Sequence, residues 1–219
     1  MKIYFVFVLL FTQLHLSESK VPEESVILAA AGSDVTFPGP EHPETYTRSV
    51  WIFYNHIISD VVSFSKVSEP RIQIRKKYKS RIQPNATTLT LVLQNVEESD
   101  TGIYKLFSRQ HVRTISEVTL HVYKLLGESR ISSNSSQENS TIALTCAVSG
   151  KVESVMWLAI TDSAAKNRYT LIYDNTTLVI QNAQKSDSGI YGCFIRNPFS
   201  KSSAFYELTV KCECVKFSL

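Results

Sequence analysis

The chain has 219 residues, of which 43% are hydrophobic and 20% are charged, and its formal net charge is +3. That charge is too small to indicate binding to nucleic acid, which requires a strongly basic face. The chain has only seven glycines and no glycine-rich phosphate loop, so nothing indicates a nucleotide-binding enzyme.

Residues 1–19 are predicted to be a signal peptide. Lys2 precedes an apolar run, 3–11, and the small residues Ser17 and Ser19 follow it. This order is typical of a secretory signal, whereas a buried helix, the alternative, would not need it. No later stretch is apolar enough to span a bilayer, and 215–219 is too short for a lipid-anchor signal. We therefore expect a protein that is secreted or lies on the external side of the plasma membrane.

The first predicted unit, residues 20–123, carries strand patterns on both sides of a tryptophan. Alternating apolar residues predict half-buried strands, and a following Asp-x-Gly-x-Tyr indicates a sharp corner into the next strand. The pattern reads Val35-x-Phe37, then Trp51, then Leu91-x-Leu93-x-x-Val96-x-x-x-Asp100-x-Gly102-x-Tyr104.

The second predicted unit, residues 124–211, repeats this pattern with the same spacing in its last part. It reads Ile142-x-Leu144-x-Cys146, then Trp157, then Leu178-x-Ile180-x-x-Ala183-x-x-x-Asp187-x-Gly189-x-Tyr191. Two copies of one strand pattern within about 200 residues predict two tandem β domains.

These motifs resemble those of immunoglobulin domains, and the resemblance implies an all-β fold of two tandem β-sandwiches. It implies that Cys146 and Cys193 join the two sheets of the second unit with Trp157 packed over the bridge, and that each corner tyrosine bonds back to the backbone. Such a bridge stabilises a domain by about 4 kcal/mol in the chain-entropy account.

The first unit has no cysteine at the corresponding positions, which are Gly39 and Leu106. These two residues lie 67 positions apart, against 47 for Cys146 and Cys193. The additional length leaves room for the two strands that variable-type domains add, so we expect a V-type unit followed by a shorter C-type unit. The first unit must then hold its sheets together by packing alone.

Arg81 precedes the predicted strand that contains Leu91 and Leu93. Asp100 lies at the corner that follows this strand. We predict an ion pair between them; the alternative is that Arg81 is one more solvated cation of the basic run 75–79. If exposed, the pair would contribute no more than about 1 kcal/mol.

Within the immunoglobulin superfamily, the chain resembles the two-domain ectodomains of SLAM-type lymphocyte adhesion receptors. The hepatocyte cell adhesion molecule and the carcinoembryonic-antigen-related adhesion molecules are similar in plan. The stretches that carry the resemblance are 50–53, 61–64, 78–82 and 98–104 for the first group and 84–87 and 94–96 for the last.

The resemblance implies recognition through the outer side of the G-F-C-C′ sheet of the first domain. The partner would be another immunoglobulin-superfamily receptor or a second copy of the chain. If Trp51, Phe53, Tyr104 and Leu106 point inward, strand alternation turns the intervening residues outward. The predicted partner-binding residues are Ile52, Tyr54, Lys105, Phe107 and Arg109.

Two other readings of the surface stay open. The outward row can be a set of scattered surface apolar residues, which needs no functional explanation. The cationic run from Arg71 to Arg81 can bind acidic sugars, although it suits equally well a solvated sheet edge where charges prevent edge-to-edge pairing.

The remaining cysteines and the glycosylation triplets agree with an oxidising, extracellular route. Cys212 and Cys214 lie in a tail, 212–219, past the last predicted strand, and they are poorly placed to bridge each other. We expect an intermolecular disulfide there, and no metal site because too few ligands are nearby. The predicted glycosylation sites are Asn85, Asn134, Asn139 and Asn175.

Catalysis is not indicated, because the histidines form no metal-binding motif and no nucleophile, base and acid are recognisably arranged. We expect no cofactor and no small-molecule substrate. The favoured function is an extracellular protein-binding module in immune cell adhesion or receptor recognition. The alternative is a soluble secreted decoy or modulator of such receptors, and fold does not separate the two.

Overall fold

The computed structural model describes residues 25–67, 71–161 and 166–212. The predicted signal peptide and the tail beyond Cys212 lie outside these residues. Within them the fold is all-β: 16 strands and five short 3-10 turns, with no α-helix in the described portion. The 3-10 turns are Pro43–Thr45, Lys76–Tyr78, Glu98–Asp100, Lys166–Arg168 and Lys185–Asp187.

The first sandwich contains two sheets. One has six strands in the order β1-β9-β8-β3-β4-β5, and the other has three in the order β2-β7-β6. The strands are β1 Ser25–Ala30, β2 Val35–Phe37, β3 Arg48–Asn55, β4 Ile57–Ser65, β5 Arg71–Ile74, β6 Ile82–Pro84, β7 Leu91–Leu93, β8 Gly102–Ser108 and β9 Arg113–Tyr123.

The second sandwich contains sheets of four and three strands, in the orders β10-β11-β14-β13 and β12-β15-β16. The strands are β10 Arg130–Ser133, β11 Ile142–Ala147, β12 Ser154–Thr161, β13 Tyr169–Ile172, β14 Thr177–Ile180, β15 Gly189–Asn197 and β16 Ser200–Leu208.

The two sandwiches differ as their lengths predict. Between β3 and β6 the first has two additional strands, β4 and β5, which extend the six-stranded sheet beside β3. They are the additional strands of a variable-type domain, which confirms that prediction. The second sandwich has the four-plus-three arrangement of a constant-type domain.

The core of the first sandwich is one continuous apolar cluster built around stacked rings. Phe37 stacks on Tyr104 with ring centroids 4.2 Å apart, and Phe53 and Trp51 lie against the same pair. The Trp51 indole N–H donates to the Leu89 carbonyl oxygen at 2.9 Å. The predicted inward residues Val35, Phe37, Trp51, Phe53, Leu91, Leu93, Tyr104 and Leu106 all lie in this buried cluster.

The core of the second sandwich consists of two clusters, and the disulfide lies in the smaller one. Cys146 and Cys193 are joined, as predicted, with their Cα atoms 6.4 Å apart. The bridge lies in a small cluster with Ile195, and Trp157 packs against both this cluster and a second one that contains Tyr191.

The corners of both sandwiches have the predicted geometry. The Tyr104 hydroxyl donates to the Asp100 carbonyl oxygen at 3.0 Å, and the Tyr191 hydroxyl donates to that of Asp187 at 2.7 Å. Because burial disfavours the charged phenolate, it raises the pKa of Tyr104 well above its usual value.

The predicted ion pair between Arg81 and Asp100 is present, and the carboxylate is buried rather than solvated. The hydrogen bond from Arg81 to Asp100 raises the pKa of the Arg81 guanidinium. The second sandwich has an equivalent pair that the sequence analysis missed: Arg168 binds the fully buried Asp187 through two hydrogen bonds of 2.8 Å. In each sandwich an arginine therefore neutralises the buried aspartate of the corner.

We propose that the division between the two domains lies where the sequence predicts it, between residues 20–123 and 124–211. β9 ends at Tyr123, and β10 begins at Arg130. Near this point the Asn197 side chain donates to the Lys124 carbonyl oxygen at 2.9 Å.

Candidate functional site

The candidate site is the outer side of the six-stranded sheet, in the part formed by β3, β4, β8 and β9. These strands correspond to C, C′, F and G of the predicted domain. Because Trp51 and Leu106 face the core and are opposite each other in the register, their neighbours Ile52 and Lys105 are paired on the outer side. Strand alternation places Tyr54 and Phe107 on that same side.

The predicted row is exposed to different degrees. Tyr54 is the most open of its large apolar members, with 43% of its surface exposed, whereas Ile52 and Phe107 are half-buried. Arg109 lies just past the end of β8, where its backbone N–H donates to the Arg48 carbonyl oxygen at 3.0 Å.

Two ion pairs border the apolar part of the row. The Lys105 ammonium lies 2.9 Å from a Glu117 carboxylate oxygen across β8 and β9. The Arg109 guanidinium lies 3.3 Å from an Asp60 carboxylate oxygen on β4. Such solvated pairs add little stability, but they give the surface a fixed pattern of charge around an apolar centre.

The structure adds two exposed residues that the sequence analysis did not select. Ile57 and Ile58 begin β4, directly after the turn at His56, and they are 77% and 69% exposed. Ile58 is the register partner of Tyr54. The sequence contains an indication of this exposure, because the two isoleucines follow the polar pair Asn55-His56. A tight turn at such a pair leaves the apolar side chains no core to enter.

The other candidate residues do not join this surface. Asn85, Asn134, Asn139 and Asn175 lie on connections of the opposite sheets, between β6 and β7, β10 and β11, or β13 and β14. Cys212 is exposed beyond β16, and Cys214 lies outside the described residues. In the described ranges, no group of three or more metal-ligating side chains is close enough to hold a metal ion.

The site is a sheet surface, and its residues are suited to contact rather than to chemistry. The structure brings two aromatic residues, aliphatic residues and two bordering ion pairs onto one side of four adjacent strands. No described helix is long and apolar enough to cross a membrane.

Comparison with known proteins agrees with this architecture. Residues 128–210 match the immunoglobulin I-set domain family. The chain is 25% identical to mouse cell adhesion molecule CEACAM15 over 81% of its own length and 78% of that protein. It is 24% identical to human T-lymphocyte surface antigen Ly-9 over 81% of its length, but spans only 28% of that protein.

Among solved structures, the crystal structure of murine CEACAM1b superposes with a TM-score of 0.55 at 20% identity. The match covers 84% of this chain and 95% of that one. At this identity the likeness concerns the fold, and it extends over both sandwiches.

Proposed function

Because this chain belongs to the immunoglobulin superfamily, we propose that it is an extracellular protein-binding module in cell adhesion or receptor recognition. Binding takes place through the outer side of the six-stranded sheet. The observation that carries this proposal is the row from Tyr54 to Phe107, an apolar centre bordered by the Lys105–Glu117 and Arg109–Asp60 ion pairs.

This combination suits a protein partner. Binding energy at protein interfaces is concentrated in aromatic and arginine residues at a desolvated centre, while a polar rim excludes water and sets orientation. Tyr54 and Phe107 provide the aromatic contacts, and Ile58 extends the apolar area next to Tyr54. The ion pairs of Lys105 and Arg109 leave donors and acceptors at the border that a partner can engage.

The partner that we propose is an immunoglobulin-superfamily receptor on an immune cell, or a second copy of this chain. The support is the similarity to proteins named as a cell adhesion molecule and a T-lymphocyte surface antigen. The acceptor asparagines also lie away from the proposed surface, so that attached sugars would leave it accessible.

The experiment is a binding assay of the soluble chain to lymphocytes, with the variants Tyr54→Ala and Phe107→Ala. Each truncation of a central aromatic residue is expected to weaken binding by at least about tenfold. The matched control is Tyr173→Ala, which removes an exposed ring from the connection between β13 and β14 of the second sandwich. Unchanged binding by both first-sandwich variants would contradict the proposal.

Cell fractionation tests the proposed location and separates two modes of action. Recovery in the membrane fraction supports adhesion at the cell surface, whereas recovery in the medium supports a secreted modulator that occupies receptors. We also propose a disulfide-linked dimer through the tail, which a non-reducing gel of the mature protein tests directly.

A further inference from the structure

A second exposed surface lies on the other sandwich, and the proposed function does not use it. The outer side of the three-stranded sheet β12-β15-β16 is apolar along most of its length. In the register, Met156 pairs with Phe194, Gly192 lies between Leu158 and Phe205, and Ile160 pairs with Ile190. We call this surface the second-sandwich face; its apolar members are Met156, Leu158, Ile160, Ile190, Phe194 and Phe205.

The members of this face are unusually open for large apolar side chains. Met156, Phe205 and Ile160 are 64%, 63% and 62% exposed. An antiparallel sheet that covers a core with one side normally presents polar residues on the other. A contiguous apolar surface on a protein that must stay soluble marks a site of association.

The face is continuous across its middle strand. The rings of Phe194 and Phe205 meet edge to face with centroids 5.7 Å apart. Both lean over Gly192, where a Cβ would lie only 3.0 Å from Phe205 and 3.1 Å from Phe194. The glycine therefore lets the two rings cover the backbone, and the apolar surface continues from β12 across β15 to Phe205 on β16.

The glycosylation triplets of this sandwich lie on the opposite sheet. Asn134 and Asn139 are in the connection from β10 to β11, and Asn175 is in the connection from β13 to β14. Sugars attached there would shield the four-stranded sheet and leave the second-sandwich face uncovered.

The two ends of the face carry opposite charges. Arg196 and Lys201 are register partners at one end, and Glu207 pairs with Ile190 at the other. Alternation places these three charged residues on the same side as the apolar members. Among the described residues, Lys201 and Glu207 have no ion-pair partner.

We propose that the second-sandwich face binds the same face of a second copy of this chain, with the strands of the two copies antiparallel. A two-fold axis across the strands places β16 over β16 and brings Lys201 of each copy to Glu207 of the other. A parallel arrangement would instead set the cationic ends against each other. The face is thus complementary to itself in one orientation, which is the argument for a second copy.

The size of the face fits a weak association. Strands of eight and nine residues, rising about 3.3 Å per residue and spaced about 4.8 Å apart, form a surface of modest area. Two such sheets pack with interdigitated side chains as in a sandwich interior. Interfaces at the small end of the range are reversible and respond to concentration.

Sedimentation equilibrium of the full mature chain across a concentration series tests the proposal. Both tail cysteines are replaced by serine in every sample, so that no covalent link contributes. Self-association is expected, and Leu158→Arg is expected to weaken it by at least about tenfold, because it places a charge at the apolar centre. A reference chain that stays monomeric throughout overturns the proposal, since the face would then serve a different protein.

Two controls distinguish the second-sandwich face from the outer side of the six-stranded sheet in the first sandwich. Thr170→Arg puts the same side chain on an exposed strand position of the opposite sheet, and it is expected to leave association unchanged. Phe107→Ala removes a member of the first-sandwich surface, so any loss of association that it causes measures self-contact through that surface. If Phe107→Ala abolishes association and Leu158→Arg does not, the self-contact belongs to the first sandwich and the inference is wrong.

The orientation has its own test. Lys201→Glu and Glu207→Lys are each expected to weaken association, and the double swap is expected to restore it, because the two positions again carry opposite charges. Both positions are exposed, so the variants keep the fold. A double swap that associates no better than either single variant overturns the antiparallel arrangement.

Discussion

Where Cys146 joins Cys193 in the second sandwich, the first sandwich has Gly39 and Leu106. The two sandwiches share the corner tyrosine and the buried arginine–aspartate pair, so they differ in how their centres are held. The first has one continuous cluster with stacked aromatic rings, and the second has two smaller clusters, one of which contains the covalent bridge. Packing of large rings can therefore replace a disulfide within one fold.

The replacement extends to the backbone. A Cβ at Gly39 would overlap the Thr88 carbonyl oxygen, so the chain just after β2 and the chain before β7 approach more closely than a side chain there would allow. Leu89 follows at a positive φ of 58° and is fully buried in the aromatic cluster. The residue next to this close approach thus adds a buried leucine side chain to a core that has no bridge.

Removal of the bridge is the change with the largest expected effect. Replacing Cys146 and Cys193 by alanine is expected to lower the free energy of unfolding of the second sandwich by about 4 kcal/mol. The first sandwich should keep its stability because its core contains no sulfur. Hydrogen exchange resolved by strand measures both quantities in one sample, and equal losses in β8 and β15 would contradict independent cores.

Removal of the arginine at either corner is expected to have the next largest effect. It should lower the free energy of unfolding of that sandwich by about 3 kcal/mol, because it leaves a buried carboxylate without a counterion. Arg168→Met is expected to cost more than Arg81→Met, since Asp187 is fully buried and held by two hydrogen bonds of 2.8 Å. Urea unfolding of both variants measures the difference. Arg168→Lys is the control that keeps the charge and loses the two-point contact.

Much of this comparison could be predicted from the sequence. The repeated apolar alternation and the Asp-x-Gly-x-Tyr patterns reflect local constraints, alternation in a strand and a sharp turn. The resemblance to immunoglobulin domains that they carry implied both corners and the bridge. The difference in length predicted β4 and β5. Arg168 was missed although it precedes Asp187 by the same 19 positions that separate Arg81 from Asp100.

The surfaces were harder to predict, for a physical reason. In β12 the residues on both sides are apolar, with Val155, Trp157 and Ala159 alternating with Met156 and Leu158. Alternation then cannot indicate which side of the strand faces water, and the pattern predicts a strand that is buried on both sides. The predicted row on β3 and β8 was assigned from inward-facing neighbours, and its use as an interface stays a prediction.

An attempt to transfer the bridge sharpens the comparison further. With Gly39→Cys and Leu106→Cys together, we expect no disulfide, because any Cβ at position 39 collides with the Thr88 carbonyl oxygen. Gly39→Ala alone is expected to lower the free energy of unfolding of the first sandwich by about 2 kcal/mol through overpacking. Thiol titration of the denatured double variant gives the answer, and a bridge formed without loss of stability would refute the steric account.

Alkaline pH has the smallest expected effect and acts through the corner tyrosines. Burial raises the pKa of Tyr104 above that of an unfolded tyrosine, about 10, so the folded state retains a proton that the unfolded state loses. The stabilisation is complete below about pH 10 and is lost as the pH rises, by about 1 kcal/mol between pH 10 and 11. Tyr104→Phe, which has no proton to lose, should remove this part of the slope in the first sandwich while β15 keeps its dependence. An unchanged slope in β8 would mean that the Tyr104 hydroxyl reaches water before the sandwich unfolds.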